Sequence, residues 1–303
     1  MKLDYHMHFE YGSYDLEWVQ GFFESAKKNG VSEIGISEHS HGFIEFKDLY
    51  YEELILDDSV VGSYQAKWLE KNKFKYSLKD YFKFMQMLKE KGYPVKIGIE
   101  ICNFKNQEKV KAIIKDYEFD YIIGSVHFLN GWGYDFADIK QVWNDFSLQD
   151  IYKWYAEEIT NLAQSGLYDV LGHPFNIRLF KNIPEFDVKP ILEQVATVLK
   201  EANMVIDINT GTLYRYPIEE ISPYPDFLQV AKKYDLPIKQ IIEGVDGIVE
   251  KQTEAYTVEG NLIDSEGFTG LPNIKAKKAI IYHFEQNSLG AKQINFKLRD
   301  WGV

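Results

Sequence analysis

The most constraining feature of this sequence is the alternation of short apolar runs with longer amphipathic stretches. The runs KIGIEI, YIIGSV and VIDIN are apolar on both faces, as parallel strands are when helices cover both sides of a sheet. Stretches 15–30 and 77–92 have apolar residues at helical spacing and end at a glycine. Repeated strand–helix units of this kind predict a (β/α) barrel or an open doubly wound sheet.

The junctions between strands and helices carry no glycine-rich loop for a nucleotide phosphate. Neither a G-x-G-x-x-G sequence nor a Walker loop occurs, which disfavours a nucleotide-binding Rossmann domain. Residues 42–76 are aromatic and acidic without a clear period, and this predicts a loop with short helices. The length of 303 residues suits one large α/β domain or two modest ones.

Six of the seven histidines fall at or just after the C-terminal end of a predicted strand. They are His6, His8, His39, His41, His127 and His173. Because strand C-termini of a (β/α) barrel converge on one face, where active sites are built, we expect these imidazoles to cluster. His6 and His8 are two apart on an extended segment and point to the same side, which suits two ligands of one metal.

Two glutamates accompany the histidines. Glu38 precedes His39, and Glu100 stands at the end of an otherwise apolar strand. Burying an unpaired carboxylate is costly, so Glu100 is either a rim residue paired with a lysine or arginine, or a metal ligand. Beside the histidine-bearing strand ends we favour a ligand that bridges two metals. A mixture of imidazole and carboxylate suits Zn, Mn or Fe and does not distinguish them.

Charge and cysteine content limit the partners and the compartment. The net charge of -12 disfavours binding to nucleic acid or to an anionic membrane. The single cysteine, Cys102, fits a reducing compartment. The start of the sequence has no basic-then-apolar signal region, and no window approaches the apolar length of a membrane span. We therefore expect a cytoplasmic protein without a membrane partner, whose oligomeric state the sequence leaves open.

The motifs HMH, SEHS, KIGIE, GSVHFL and LGHP, in that order, resemble the polymerase and histidinol phosphatase (PHP) superfamily. HFEYGSYDLEWV, GISEH, GSVHFLNGWGYD and INTG are similar to its histidinol-phosphatase branch. The resemblance covers residues 1–238 and implies a distorted (β/α)7 barrel with a centre of two or three divalent metal ions. Residues 239–303 are then a divergent C-terminal segment that completes the barrel or packs on it.

The resemblance also implies roles for the motif residues at the first two metals. His6 and His8 resemble ligands of the first metal. Glu100 resembles the carboxylate that bridges the first and second metals, and His127 and His173 resemble the imidazole ligands of the second metal.

The resemblance also implies a third metal, for which fewer residues of this sequence match the family motif. His39 resembles one of its ligands. The family adds an acidic residue or a histidine from the loop after the first strand, which here could be Glu17, Asp15 or Glu10, with a weak preference for Glu17. His41 lies outside the motif, and we expect it to support a ligand or to face solvent.

The last motif of the family, a strand that ends in Asp-x-His, is missing. After YDLPI the sequence reads KQIIEGVDGIVEKQTEAYTVEGN. The aspartate of the family falls near Glu243 and its histidine near Val245, and Asp246 is the closest aspartate. A divergent C-terminus, an altered reading frame or chimaeric gene, and a genuine loss of ligands all remain open. Glu243 or Asp246 would have to supply the missing ligand of the first metal.

The function implied by the resemblance is hydrolysis of a phosphomonoester, with L-histidinol phosphate of histidine biosynthesis as the first choice. A hydroxide that bridges the metals would attack phosphorus, so no protein nucleophile is needed. No G-x-S-x-G sequence is present. A phosphate group also needs cationic partners. Arg178 is the best candidate, followed by Lys181 and Arg215.

Two other functions remain open. The first keeps the fold and the chemistry but acts on another small phosphate ester or a nucleotide. The second is a degenerate metal-binding scaffold without activity, which the missing Asp-x-His pair favours and the other five motifs oppose. A nuclease is disfavoured by the charge of -12 without a basic stripe.

Overall fold

The computed structural model describes residues 2–10, 12–71, 73–212, 216–218, 220–236 and 238–239. The strands in these ranges are β1 (Lys2–Met7), β2 (Val31–His39), β3 (Val95–Cys102), β4 (Tyr121–Ser125), β5 (Phe128–Leu129), β6 (Trp132–Gly133), β7 (Val170–Leu171), β8 (Val205–Asp207) and β9 (Ile238–Lys239). The α-helices are α1 (Leu16–Lys28), α2 (Lys47–Glu53), α3 (Val60–Glu70), α4 (Leu78–Glu90), α5 (Gln107–Ile114), α6 (Leu148–Ser165), α7 (Lys189–Glu201) and α8 (Pro225–Lys233).

Seven of these strands form one parallel sheet in the order β1-β2-β3-β4-β7-β8-β9. Each strand pairs with the next one along the chain, apart from the short antiparallel pair β5–β6, which stands by itself. The register places His39 of β2 directly opposite Glu100 of β3. Sequential parallel pairing with helical connections is the topology of a (β/α) barrel.

The sheet is strongly curled. His6 on β1 and Asp207 on β8 have four strands between them, which a flat sheet would place roughly 24 Å apart at about 4.8 Å per strand. Instead, Nδ1 of His6 lies 2.8 Å from Oδ2 of Asp207. The predicted fold, a distorted (β/α)7 barrel, is confirmed, and the curl brings the strand ends to one place.

The helices form for reasons that the sequence shows. Ser77 and Ser147 each accept a backbone N–H of the first turn of a helix, at the starts of α4 and α6. Gly166 ends α6 in the left-handed conformation (φ 67°), which glycine adopts without steric strain. The buried faces of both helices lie in the main core together with the isoleucines of β2 and β3.

Residues 42–76 fold as a loop with short helices, as predicted. A 3₁₀ turn at Ser40–Gly42 leads into this segment, which contains a second one at Ile44–Phe46, followed by α2 and α3. The end of this segment returns to the end of β2, where the N–H of Phe74 donates to the carbonyl of His41 at 2.8 Å. Residues 73–76 are therefore held beside the C-terminal edge of the sheet. No helix in the described ranges is long and apolar enough to cross a membrane.

Candidate metal centre

The C-terminal ends of five strands bring the predicted ligands together. β1 carries His6 and is followed by His8, β2 ends at His39, and β3 carries Glu100. His127 and His173 follow β4 and β7. This is the edge of a (β/α) barrel at which side chains from different strands meet.

Glu100 lies at the centre of this group and is only 1% exposed. Its Oε2 lies 3.3 Å from Nε2 of His6, 3.8 Å from Nε2 of His8 and 3.1 Å from Nε2 of His39. Its Oε1 lies 3.3 Å from Nε2 of His127 and 3.0 Å from Nε2 of His173. Each oxygen therefore faces its own set of imidazoles, as a bridging carboxylate requires.

In three of these imidazoles, the ring nitrogen that faces away from Glu100 binds a second carboxylate. In each, the Nδ1–H donates to a carboxylate oxygen at 2.8 Å, while Nε2 faces Glu100. The three pairs are His6–Asp207, His39–Glu10 and His127–Asp135. Such carboxylate–histidine pairs set the tautomer and the orientation of a metal ligand and increase its basicity.

The charges within the group shift the pKa values of its members. Burial would raise the pKa of Glu100, but the charges of His6 and His39 and hydrogen bonds from His127 and His173 hold that pKa well below its usual range. Burial opposes a proton on His6, yet the charges of Glu100 and Asp207 outweigh it and raise the pKa of His6 to about 10. Glu100 is therefore ionised, as a ligand must be.

The donor set fits a centre with more than one metal ion. Three groups have all their ligand atoms within 4.8 Å of one another: His6–His8–Glu100, His8–Glu10–His39 and Glu100–His127–His173. Oε2 of Glu100 and Nδ1 of His173 are buried without a hydrogen-bond partner among the described residues. One carboxylate cannot satisfy five ring nitrogens, whereas cations between them would. Imidazole with carboxylate suits Zn, Mn or Fe.

The preference for Glu17 as the acidic ligand of the third metal is wrong. Glu17 lies on the exposed face of α1, and Asp15 accepts the N–H of Trp18 as the cap of the same helix. Glu10 is the residue that reaches the centre, since its two carboxylate oxygens meet the ring and the backbone N–H of His39. Glu10 is also the nearest of the three to the end of β1, and this was the available signal.

The expectation that Arg178 binds phosphate is also wrong, because other side chains already bind its guanidinium group. Arg178 is buried at 6% exposure. Its Nε donates to the hydroxyl of Tyr152 at 2.7 Å, and its two Nη atoms donate to Asp226 at 3.1 and 2.6 Å. The guanidinium thus connects the segment after β7 to α8. Lys181 is exposed, while Arg215, Glu243 and Asp246 lie outside the described residues.

Two carboxylates of the centre had no assignment from the sequence. Asp207 ends the apolar strand β8 and is 1% exposed, the same anomaly that pointed to Glu100. Asp135 belongs to the loop GWGYD, where no periodic pattern marks it. The ring of His41 stacks on that of the predicted ligand His39 with 4.7 Å between centroids.

The fold and the site together define a (β/α)-barrel protein with a cluster of imidazoles and carboxylates that could hold metal. The model of the PHP domain family matches residues 4–211. The chain belongs to the PHP family.

Two known proteins are similar to a large part of this chain. The chain is 30% identical over 145 residues to the "Probable histidinol-phosphatase" of Deinococcus radiodurans, which covers 47% of this chain and 54% of that protein. A crystal structure of a candidate histidinol phosphatase from Listeria monocytogenes superposes with a TM-score of 0.60 at 20% identity. That superposition covers 78% of this chain and 92% of the Listeria chain, and it shows the fold alone.

The C-terminal part is similar to an unrelated family. A model of the leucyl-tRNA synthetase editing domain matches residues 189–285. The leucine–tRNA ligase of Aliarcobacter butzleri is 73% identical over 75 residues, which are 25% of this chain and 9% of the ligase. The chain thus spans about half the length of the Deinococcus relative and about a tenth of the ligase. The predicted boundary between residues 238 and 239 stays a prediction.

Proposed function

We propose that this chain is a metal-dependent phosphomonoester hydrolase with L-histidinol phosphate as its first substrate, acting in histidine biosynthesis in the cytoplasm. The observation that carries the proposal is the position of Glu100, whose two oxygens face separate sets of imidazoles at 3.0–3.8 Å. The membership of the PHP family supports hydrolytic chemistry, and the similarity to the Deinococcus protein supports the choice of substrate.

The residues of the chain divide the work of holding the metals. His6, His8 and Glu100 would hold one ion, and Glu100 with His127 and His173 a second. A third would lie between His8, Glu10 and His39. Divalent ions bound there supply Lewis acidity toward phosphate oxygens and lower the pKa of coordinated water.

The carboxylates behind the imidazoles complete the arrangement. Asp207 and Asp135 accept from the Nδ1–H of His6 and His127, so that Nε2 of each ring faces the centre. No serine or cysteine is needed as a nucleophile. Cys102, the only cysteine of the chain, is buried against the hydroxyl of Tyr50, and burial raises its thiol pKa.

We infer that the absent Asp-x-His pair reflects a chain composed of two families. An altered reading frame would produce a sequence without similarity to another family, whereas residues 189–285 match the editing domain. Simple divergence would not produce 73% identity to a ligase over 75 residues. Glu243 and Asp246 remain candidates for the missing ligand, and Lys181 and Arg215 remain candidates for phosphate contacts.

The second candidate function is an inactive metal-binding scaffold. The editing-domain similarity favours it, because that similarity falls where the family has its last two ligands. Three described side chains still surround each of the three possible metal positions, and this favours activity.

Metal analysis combined with hydrolysis of an ester panel tests the proposal. The purified chain is stripped with a chelator, reloaded with Zn, Mn or Fe, and offered histidinol phosphate, other small phosphate esters and nucleotides. We expect at least two equivalents of metal and fastest hydrolysis of histidinol phosphate, with no rate in the stripped sample. Preference for another ester would overturn the substrate. Fewer than two equivalents of bound metal together with no hydrolysis of any ester would support the inactive metal-binding scaffold instead.

A further inference from the structure

A column of parallel aromatic rings leads out of the metal centre. The rings of His8 and His39 stack with 4.0 Å between centroids and 14° between planes. The ring of His41 continues the column at 4.7 Å and 9° from His39. Trp68 then meets His41 edge to face, with 5.2 Å between centroids. His41 is thus the first side chain beyond the expected ligands on this side.

A lysine lies at the outer end of this column. Nζ of Lys73 is 3.4 Å from Nε2 of His41 and 4.5 Å above the ring of Trp68. The backbone fixes this position, since Phe74 donates its N–H to His41 and Tyr76 donates its N–H to the carbonyl of Gly42 at 3.0 Å. The ammonium group is therefore held next to the third-metal ligands.

The ammonium group of Lys73 has unused bonding capacity. An ammonium donates three hydrogen bonds, but His41 is the single acceptor within reach in the described ranges, and no carboxylate lies within 4.0 Å. Nδ1 of His41 is itself buried without a partner. Burial lowers the pKa of Lys73, and the charge of Glu10 opposes that shift. A half-buried cation without a paired anion is costly unless a ligand supplies the anion.

The contrast with Arg178 shows what is unusual about Lys73. Arg178 also lies near a ligand loop, but Asp226 neutralises it through two hydrogen bonds. Within the described residues, Lys73 contacts the ring of Trp68 and the imidazole of His41 and has no carboxylate partner. A lysine recognises phosphate as a point charge and needs no bidentate geometry.

We propose that Lys73, positioned by His41 and Trp68, binds the phosphate group of the substrate at the outer edge of the metal centre. This assignment rests on the proposed phosphomonoesterase function and supplies the cation that the sequence assigned to Arg178. The ligand class is a phosphate monoester dianion, whose oxygens accept hydrogen bonds from the ammonium group.

Inorganic phosphate is the probe for the test, because its binding needs no turnover. Lys73→Met keeps the aliphatic stem and removes the charge, and Lys75→Met is the matched control at an exposed lysine two residues away. Metal content, phosphate affinity by calorimetry on the Mn-loaded full chain, and KM and kcat are measured for both variants. Circular dichroism of both variants verifies folding.

We expect Lys73→Met to retain its metal and to bind phosphate about 10- to 100-fold more weakly, with a matching rise in KM. Lys75→Met should match the wild-type chain, and Lys73→Arg should recover part of the affinity. Equal phosphate affinity in the two Met variants would overturn the assignment, and so would loss of metal in Lys73→Met. If no ester is hydrolysed but Lys73→Met still loses phosphate affinity, the proposed function fails and the phosphate site stands.

Discussion

The two oxygens of Glu100 face two unequal halves of the candidate metal centre. The Oε1 half consists of His127 and His173, from the ends of β4 and β7, and like the groups of the other half it lies within residues 4–211 that match the PHP family. The Oε2 half consists of His6, His8 and His39, from β1 and β2. The resemblance to the family implies that this half would receive further ligands from the Asp-x-His motif, which the sequence lacks.

The comparison teaches that the two oxygens of one carboxylate can face groups from different parts of a sheet. The Oε1 half uses strands in the middle of the sheet, where each strand pairs on both sides. The Oε2 half lies at the β1 edge of the sheet. It contacts the end of β8 through the hydrogen bond between His6 and Asp207. We therefore expect the Oε1 half to bind metal more tightly.

The largest effect should come from the residue that the halves share. Glu100→Gln removes the charge that faces five imidazoles, so both halves lose a ligand. We expect metal content below one equivalent and a loss of hydrolysis of roughly a thousandfold or more. Glu108→Gln, on the exposed face of α5, is the control and should behave as wild type. Two retained equivalents in Glu100→Gln would contradict the bridging role.

The second prediction separates the halves through their supporting carboxylates. Asp207→Asn weakens the support of His6, and Asp135→Asn weakens the support of His127. Each change should lower the affinity of its own half by about 10- to 100-fold and leave the other half unchanged. Metal competition with a coloured chelator resolves the two affinities. If either variant weakened both halves equally, the halves would not be independent.

The third prediction concerns protons. Burial favours a neutral His6, but Glu100 and Asp207 raise its pKa to about 10, so the metal-free protein carries this proton at pH 7. Because a metal must displace that proton, uptake at the Oε2 half should release it, and affinity should rise with pH up to about 10. Calorimetry in buffers of different ionisation enthalpy measures the release. Asp207→Asn should reduce it, and unchanged release in that variant would contradict the assigned cause.

The smallest effect on function should come from Arg178. Arg178→Met removes the hydrogen bonds to Tyr152 and Asp226, so the free energy of unfolding should fall by about 1–2 kcal/mol. Asp226 is partly exposed, and solvent weakens this pair. Phosphate affinity should stay at the wild-type value, in contrast to Lys73→Met. Chemical denaturation and phosphate calorimetry test both statements, and a tenfold loss of phosphate affinity would return Arg178 to the site.

Much of the fold and of the imidazole set was predictable from local patterns. The apolar runs around Glu100 and the capped helix 77–92 carry their own signals, because strand and helix periodicity are local properties. Glu100 was recognisable as a carboxylate that an apolar strand would bury. Asp207 carries the same signal in a shorter strand of three residues and was not singled out.

The carboxylate partners were not predictable, because their pairing is not local. The sequence favours Glu17 over Glu10, because it does not show that α1 turns Glu17 toward solvent. Asp226 lies 48 residues from Arg178, and no pattern in either segment indicates that the two side chains pair. Lys73 lies in a segment without a period, and its position follows from hydrogen bonds between residues 74–76 and 41–44.

The sequence by itself determined that parallel strands would end in histidines and glutamate, because strand periodicity and residue type are written along the chain. The tertiary structure alone decided which groups face one another. His6 and Asp207 are 201 residues apart, and they meet because the sheet curls until the ends of β1 and β8 come together. Curvature is a property of the whole sheet, so no single strand records it.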